Sequence, residues 1–298
     1  MNVLSLFDGM SCGQIALNRA GISYDKYYAS EIDKYAIKVT QYNYPNTIQL
    51  GDVTKVNGSD LKHIDLLIGG SPCQGFSFAG KRLNFEDPRS KLFFEYVRLK
   101  NELQPKYFLL ENVKMKKEYK ETITSYLGVQ PVEINSSLVS GQDRKRLYWT
   151  NIPNITQPEN KNIFLKDLLE KPNDKLFLKD VTSQRYYINK NFIEIKDKSC
   201  IMGKLSDHQG DRIFSIECKG SSLCADGGGN GGDGCNIIFD PETNKLRKLS
   251  VLECERLQNV PDNYTSIVSN TQRYKMLGNG WTVDVIAHIF KGLLNENL

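Results

Sequence analysis

The sequence predicts an α/β fold built around a mostly parallel sheet. Short β-rich runs alternate with helical patterns from Asn2 to Thr150, as is typical of parallel strands joined by helical crossovers. After Thr150 this alternation gives way to a segment rich in Asn, Lys and Pro, and helical patterning returns at Lys248. A chain of 298 residues with 40% apolar residues can form one large domain and a smaller one.

The first part of the chain should contain seven strands and four helices. The predicted strands are Asn2–Leu6, Lys26–Ser30, Thr47–Leu50, Asp65–Gly69, Tyr107–Glu111, Val132–Asn135 and Leu147–Thr150. The predicted helices are Gly13–Ala20, Lys34–Tyr42, Lys91–Leu103 and Glu118–Leu127. Because no helix separates the last two strands, we expect an antiparallel pair at the edge of the sheet.

Later in the chain, Ser250 and Glu253 fit a capping box for a helix at Leu249–Gln258, and a final helix should cover Thr282–Leu294. We therefore expect a first domain over residues 1–152 and a small domain over 153–247. Residues 248–298 should form C-terminal helices that return to the first domain.

Composition narrows the class of protein. A net charge of +4 permits a nucleic-acid partner without requiring one. The chain has no apolar run long enough for a membrane span, and its first residues lack the basic region of a signal peptide. Seven cysteines without tight pairs indicate a reduced, cytoplasmic protein. Because the cysteines and His208 lack zinc-finger spacing, we expect no metal.

A cysteine follows the fourth predicted strand, where Ile64–Ile68 leads through Gly69 and Gly70 to Pro72 and Cys73. Ligands bind at the carboxyl ends of strands in open α/β sheets. Glycine lets another molecule approach the backbone, and proline fixes the chain just before the thiol. A thiol held in this way suits a covalent nucleophile, although a lone cysteine is more often an inert buried residue.

The first strand-to-helix turn, Phe7–Gly13, is rich in glycine but has neither a G-x-G-x-x-G pattern nor a P-loop lysine. It therefore favours a nucleotide cofactor without phosphates, such as S-adenosylmethionine, over NAD. The alternative is an ordinary glycine-rich turn.

Acidic residues follow three successive strands at Asp8, Glu31 and Asp52. An acid about 20 residues beyond a glycine turn suits ribose hydroxyls, which favours Glu31. Asp52 suits an adenine amino group, with Ile32 and Val53 against the ring. Each acid on its own could instead cap a helix.

The fifth predicted strand ends at Glu111, whose carboxyl follows four apolar residues. We expect partial desolvation to raise its pKa and let it donate a proton, unless it caps the next helix. Arg144 and Arg146 alternate on one face of the segment Gln142–Trp149 and suit phosphate or polar base edges. The alternative for this segment is a solvated edge strand.

Together, and in this order, these motifs resemble those of the cytosine carbon-5 DNA methyltransferases. The resemblance covers nearly the whole chain outside about residues 153–244. It runs through Phe7–Gly13, Glu31–Ile32, Gly51–Asp52, Pro72–Gln74, Glu111–Val113, Gln142-x-Arg144-x-Arg146, Leu249–Gln258 and Leu277–Val283. Several stretches are most similar to the catalytic domains of the animal de novo enzymes: Leu4–Gly9, Ile68–Cys73, Leu92–Glu95 and Trp281–Val283. The compact length of the chain is instead similar to that of bacterial and phage enzymes.

The resemblance implies a Rossmann-like S-adenosylmethionine-dependent methyltransferase fold with a small target-recognition domain. It implies that Cys73 attacks carbon 6 of a cytosine flipped out of the duplex and that Glu111 serves ring nitrogen 3. Arg146 would hold the oxygen at carbon 2, and Arg144 would support the Cys73 region or a backbone phosphate.

Further residues are assigned by the same resemblance and by the reasoning above. The predicted cofactor-binding residues are Phe7, Asp8, Gly9, Met10, Cys12, Gly13, Glu31, Ile32, Asp52, Val53, Gly70, Pro72, Leu92, Asn279 and Trp281. The predicted DNA-binding residues are Gln74, Ser77, Lys81, Arg82, Gly227, Gly228 and Gly229. S-adenosyl-L-homocysteine would be the product of the cofactor.

The partner implied is double-stranded DNA, in the cytoplasm of a bacterial or phage-infected cell. The resemblance also allows a homodimer and a companion restriction endonuclease. Two alternatives are a transfer-RNA cytosine-5 methyltransferase and a non-catalytic DNA-binding homologue. The presence of Cys73, Glu111, Arg144 and Arg146 together argues against the second of these.

Overall fold

The computed structural model describes residues 1–72, 88–171, 174–178, 201–204, 212–225 and 236–297. Eight strands lie in the first half of the described chain: β1 (Asn2–Leu6), β2 (Lys26–Ser30), β3 (Ile48–Gln49), β4 (Leu66–Gly70), β5 (Tyr107–Val113), β6 (Val132–Asn135), β7 (Gln142–Asp143) and β8 (Lys145–Thr150). Seven of them form one sheet in the order β3-β2-β1-β4-β5-β8-β6. The strand order reverses between β1 and β4, and the carboxyl ends of strands at such a switch point are where ligands bind.

The pairings of β1, β2, β3, β4 and β5 with one another are parallel, and β8 runs antiparallel to β5. The expected antiparallel strand is thus present. The two strands expected to pair at the edge of the sheet, β6 and β8, are neighbours at one edge, where β8 lies between β5 and β6. Both of its sides are paired, which explains why Leu147, Tyr148 and Trp149 are all buried.

Helices connect the strands of this sheet: α1 (Cys12–Arg19), α2 (Lys34–Asn43), α3 (Pro88–Leu103) and α4 (Lys117–Leu127). Asp33 caps α2 by accepting a hydrogen bond from the backbone N–H of Tyr35, and Gly128 ends α4 with a left-handed φ of 75°. Helix α1 lies close to the sheet at Gly13, where a Cβ atom would be 2.6 Å from Ile68 Cδ1 and from the Tyr27 hydroxyl.

The later part of the chain contains β9 (Ile201–Lys204), β10 (Arg212–Phe214), β11 (Gly220–Ser221), β12 (Ile237–Asp240) and β13 (Lys245–Lys248). Four of these strands form a sheet in the order β13-β12-β10-β9, around a small core of Ile213, Ile237 and Leu246. The remaining strand, β11, pairs with β7.

Three helices follow: α5 (Val251–Leu257), α6 (Asn270–Asn279) and α7 (Val283–Phe290). The predicted capping box is confirmed, because Ser250 and Glu253 exchange side-chain and backbone hydrogen bonds at the start of α5. The predicted final helix is shorter than expected and continues as a 3₁₀ helix over Lys291–Asn297. Helix α6 was not predicted as a helix.

The chain divides into two compact units. The first contains Met1–Ile134, Lys145–Gln157 and Asp284–Leu298, and the second contains Asn135–Arg144 and Pro158–Val283. This division differs from the predicted domain boundaries, since most of residues 248–298 belong to the second unit.

None of the helices in the described ranges combines the length and apolar character needed to cross a membrane.

Candidate active site

The turn after β1 has an unusual backbone. Phe7, Gly9 and Ser11 all have left-handed φ angles, of 58°, 59° and 64°. For residues other than glycine this conformation costs on the order of 1–3 kcal/mol, and such strain concentrates at ligand sites. The backbone N–H of Gly9 donates a 2.7 Å hydrogen bond to Glu31 Oε2. The turn is therefore fixed to the end of β2.

Glu31 and Ile32 lie directly after β2. The Glu31 carboxylate also accepts hydrogen bonds from the backbone N–H groups of Ile32 and Asp33, both at 2.8 Å. Its orientation is thus set by three backbone donors, while lone pairs remain for further donors. The side chain of Ile32 is 76% exposed, an apolar surface next to an oriented carboxylate.

Asp8 is partly buried within the same turn, and its Oδ2 atom is inaccessible to solvent. Its Oδ1 accepts a 2.8 Å hydrogen bond from the Tyr27 hydroxyl, and its Oδ2 has no partner within the described part of the chain. Burial raises the pKa of Asp8 to about 6, against the opposing effect of nearby hydroxyl groups such as that of Tyr27. An ionised Asp8 therefore lacks one of the donors that a buried carboxylate needs.

Most of the other predicted cofactor residues of the first unit take part in turn capping or core packing. Asp52 accepts hydrogen bonds from the backbone N–H and the hydroxyl of Thr54 and caps a 3₁₀ turn, which lowers the pKa of its carboxyl. Val53, Met10 and Cys12 are buried, and Val53 belongs to the main core of the first unit. Gly70 ends β4, Pro72 follows it, and Leu92 packs partly buried against that core.

Glu111 and Arg146 form an ion pair at the carboxyl end of β5. The Arg146 Nε lies 3.0 Å from Glu111 Oε1, and the two side chains are 15% and 12% exposed. In the β5–β8 pairing Arg146 is opposite Val113, so it is a diagonal neighbour of Glu111 on the same face. Glu111 is also in register with Gly70 of β4. The acid thus lies beside the strand that leads to Cys73.

Asn112 and Ser71 are hydrogen-bonded to each other, and neither was predicted from the sequence to be a site residue. The Asn112 Nδ2 donates to the hydroxyl of Ser71 at 3.2 Å and to its carbonyl oxygen at 3.4 Å. Both residues are buried. The sequence feature that could have indicated this contact is Asn112 itself, a polar residue in a largely apolar strand. Such a side chain needs a hydrogen-bond partner when it is buried.

Arg144 has a different environment from Arg146. Its Nη1 donates to the Ser222 hydroxyl and the Leu223 carbonyl, both at 2.8 Å, and its Nη2 donates to the carbonyls of Gly278 and Gly280. The segment Gln142–Trp149, on one face of which the two arginines were expected, is divided between two strands. Arg144 lies between β7 and β8, which pair with different strands.

Several predicted residues are not described by the structure, or lie in the other unit. Cys73 and the predicted DNA contacts Gln74, Ser77, Lys81, Arg82, Gly227, Gly228 and Gly229 lie outside the described residues. Asn279 ends α6 and Trp281 follows it, both in the second unit. Their role in a cofactor site stays a prediction.

Comparison with known proteins decides the family. Residues 1–295 match the model of a family described as C-5 cytosine-specific DNA methylase. The chain belongs to this family. Members transfer a methyl group to carbon 5 of cytosine in DNA, so the predicted enzyme class is confirmed.

Two relatives span most of the chain. The protein is 30% identical over 309 residues to the type II methyltransferase M.HhaI of Haemophilus parahaemolyticus, covering 97% of this chain and 93% of that protein. It is 31% identical over 280 residues to the type II methyltransferase M1.ScrFI of Lactococcus lactis subsp. cremoris, covering 90% and 71%.

A solved structure of the Entamoeba histolytica methyltransferase EhMeth matches with a TM-score of 0.76. The match covers 100% of this chain and 99% of that one at 17% identity, and shows the fold alone. The predicted Rossmann-like fold of S-adenosylmethionine-dependent methyltransferases is thereby confirmed.

Proposed function

We propose that this methyltransferase acts on a specific sequence in double-stranded DNA and uses Cys73 as a covalent nucleophile. The observation that carries the proposal is the Glu111–Arg146 ion pair at the carboxyl end of β5, in register with the end of β4. The chain leaving β4 reaches Cys73 three residues after Gly70. Cys73 as nucleophile, Glu111 as acid and the Arg146 guanidinium as a fixed cation would then contact the same cytosine ring.

Carbon 5 of cytosine is too weak a nucleophile to accept a methyl group unaided. Addition of the Cys73 thiolate to carbon 6 forms a carbon–sulfur bond and moves the electrons of the double bond into the ring. Glu111 supplies a hydrogen bond or proton at nitrogen 3, and Arg146 holds the oxygen at carbon 2. Acid–base assistance of this kind is worth about 10²–10⁴-fold.

Carbon 5 then takes the methyl group. A base removes the proton from carbon 5, the double bond re-forms, and the Cys73 thiolate leaves carbon 6. S-adenosylmethionine supplies the electrophilic methyl group on a sulfonium and is released as S-adenosyl-L-homocysteine. Neither Glu111 nor Arg146 changes its covalent state in the complete cycle.

The residues at the switch point fit this cofactor. The oriented carboxylate of Glu31 suits the two ribose hydroxyls, and the exposed Ile32 suits one face of the adenine ring. The Oδ2 of Asp8, which accepts no hydrogen bond from the described residues, suits the ammonium group of the methionine part. Asp52 is proposed to complete the adenine end of the site.

The target base must leave the helix, because carbon 6 is stacked within a duplex. Flipping costs on the order of a few kcal/mol. We assign phosphate and base contacts to the predicted DNA-binding residues and sequence recognition to the small domain. A homodimer, a companion restriction endonuclease and a cytoplasmic location belong to the same proposal.

Bisulfite sequencing of plasmid DNA from cells that express the protein tests the substrate, the product and the target sequence together. We expect protected cytosines at one recurring sequence with the wild-type chain and none with Cys73→Ser. Full protection with Cys73→Ser would contradict the nucleophile assignment. An unmodified plasmid, together with methyl transfer to transfer RNA in vitro, would contradict the DNA substrate.

A further inference from the structure

Asn112 is a buried amide next to the proposed catalytic acid. Its side chain lies in a strand whose other residues from Tyr107 to Leu110 are apolar, and only 2% of the residue is exposed. Burying an amide costs free energy unless it is hydrogen-bonded. The partners of Asn112 therefore indicate why a polar residue occupies this position.

Both ends of the amide are engaged. The Oδ1 accepts a 2.8 Å hydrogen bond from the backbone N–H of Val113, which fixes the side chain to its own strand. The Nδ2 donates to the hydroxyl and the carbonyl oxygen of Ser71, the first residue after β4. Asn112 thus bridges β5 and the chain that leaves β4.

The bridge lies where the sheet itself stops holding the chain. The β4–β5 pairing ends at the Gly70–Glu111 position, so it does not hold Ser71 and Pro72, the last described residues after β4. Successive residues of a strand point to opposite faces. Glu111 can therefore face Arg146 while Asn112, one residue later, holds Ser71.

We infer that Asn112 is a positioning residue, which holds the chain leaving β4 in a fixed geometry relative to the Glu111 carboxylate. This inference rests on the proposed function, because Cys73 follows Ser71 by two residues. Asn112 acts through Ser71 and does not contact the base. A displacement of about 1 Å between reacting groups can lower a rate by about 100-fold.

The test is the rate of covalent adduct formation with S-adenosylmethionine and duplex DNA that carries 5-fluorocytosine at the target base. After methyl transfer, a base cannot remove the fluorine at carbon 5 as it removes a proton, so the thiolate is not released. The adduct accumulates and is measured by intact-mass spectrometry. We expect Asn112→Ala to lower this rate and kcat at least tenfold. The KM for DNA and the Kd for S-adenosylmethionine should stay within about twofold, since no binding contact is removed.

Ser71→Ala is a milder second variant, because it removes one acceptor and keeps the carbonyl. It should lower the adduct rate about threefold, as expected for one neutral hydrogen bond. Combining it with Asn112→Ala should add little, because the same bond has already been lost. Full additivity of the two effects would contradict the bridge.

Asn151→Ala is the matched control. Asn151 bonds the backbone of Lys106 and Phe108 at the opposite end of β5, through both ends of its amide. It should lower thermal stability and leave the adduct rate unchanged. A wild-type adduct rate in folded Asn112→Ala would overturn the inference alone, whereas no adduct with the wild-type chain would overturn the proposed function.

Discussion

Arg144 and Arg146 are separated by one residue, yet they have different surroundings. Arg146 pairs at 3.0 Å with the carboxylate of Glu111 in the first unit. Arg144 is almost completely buried in the second unit, where it donates to one hydroxyl and to three backbone carbonyls. The Arg146 guanidinium pairs with a carboxylate, whereas the hydrogen bonds given above for Arg144 go to neutral oxygen atoms.

Under the proposed function, one short segment serves both chemistry and architecture. A guanidinium that bonds carbonyls from two distant parts of the chain stabilises their packing, because each buried carbonyl needs a donor. A guanidinium beside a carboxylate at a sheet edge can also donate to a bound base. We therefore expect substitutions of Arg146 to affect mainly rates and substitutions of Arg144 to affect mainly stability.

The largest expected effect belongs to Arg146→Met. It should lower the single-turnover rate of methyl transfer by about 10²–10⁴-fold, because the base loses a positioned cation and Glu111 loses its partner. Rapid-quench measurements with saturating enzyme would detect this loss. Arg146→Lys, which keeps the charge but not the planar fork, should recover only part of the rate. A near-normal rate in Arg146→Met would show that Arg146 has no role in methyl transfer.

Arg144→Met should act mainly on folding. Loss of the bonds to the carbonyls of Leu223, Gly278 and Gly280 leaves buried acceptors unpaired, at about 1–3 kcal/mol for each. We expect urea unfolding to show a decrease of about 3 kcal/mol or more and faster proteolysis within the second unit. Unchanged unfolding accompanied by lost activity would show that the contrast between the two arginines is wrong.

Gly278→Ala tests the same packing without removing a charge. A Cβ at Gly278 would lie 2.3 Å from the carbonyl carbon of Cys224 and 2.4 Å from the backbone nitrogen of Ala225. Since both neighbours are backbone atoms, relief requires a backbone shift, and we expect a loss of about 1–3 kcal/mol in thermal unfolding. Ser125→Ala, at an exposed position of α4, is the control and should change stability little.

The smallest predicted effect is a pH dependence of cofactor binding at Asp8. Its pKa of about 6 lies above the ordinary 3.8, so the folded chain holds the proton more tightly than the unfolded chain. The stability that protonated Asp8 contributes is therefore present at low pH and lost as the pH rises through about 6. Binding of an ammonium group has the opposite preference, since it favours the ionised carboxylate.

Calorimetry should accordingly show S-adenosylmethionine affinity rising about tenfold between about pH 5 and pH 7 for the wild-type chain, as one titrating group gives. Asp8→Asn should bind more weakly, with a flat profile over this range. An equally steep profile in Asp8→Asn would assign the titration to another group.

Much of the first unit could be predicted from sequence. Strands β1, β2 and β6 begin and end where the sequence predicts them, because each is a short β-rich run bounded by polar or turn-forming residues. Glu111 was also predicted as a site residue from local sequence, because its carboxyl follows four apolar residues near the end of a strand. These features depend on local pattern.

The features that escaped prediction depend on distant partners. Arg144 bonds residues 78 to 136 positions away, and no local pattern indicates that β7 and β8 belong to different sheets. Asn112 meets Ser71 only after β4 and β5 pair. Helix α6 has few apolar residues on a regular face, so its sequence gives a weak periodic signal.

The most direct test of the account is the identity of the residue that attacks the base. Wild-type protein, S-adenosylmethionine and duplex DNA with 5-fluorocytosine at the target should give a covalent complex, and peptide mapping should place the link on Cys73. Arg144→Lys, where it folds, should still form the complex, and Arg146→Met should form it much more slowly. No complex, or a complex through one of the other six cysteines, would contradict the account.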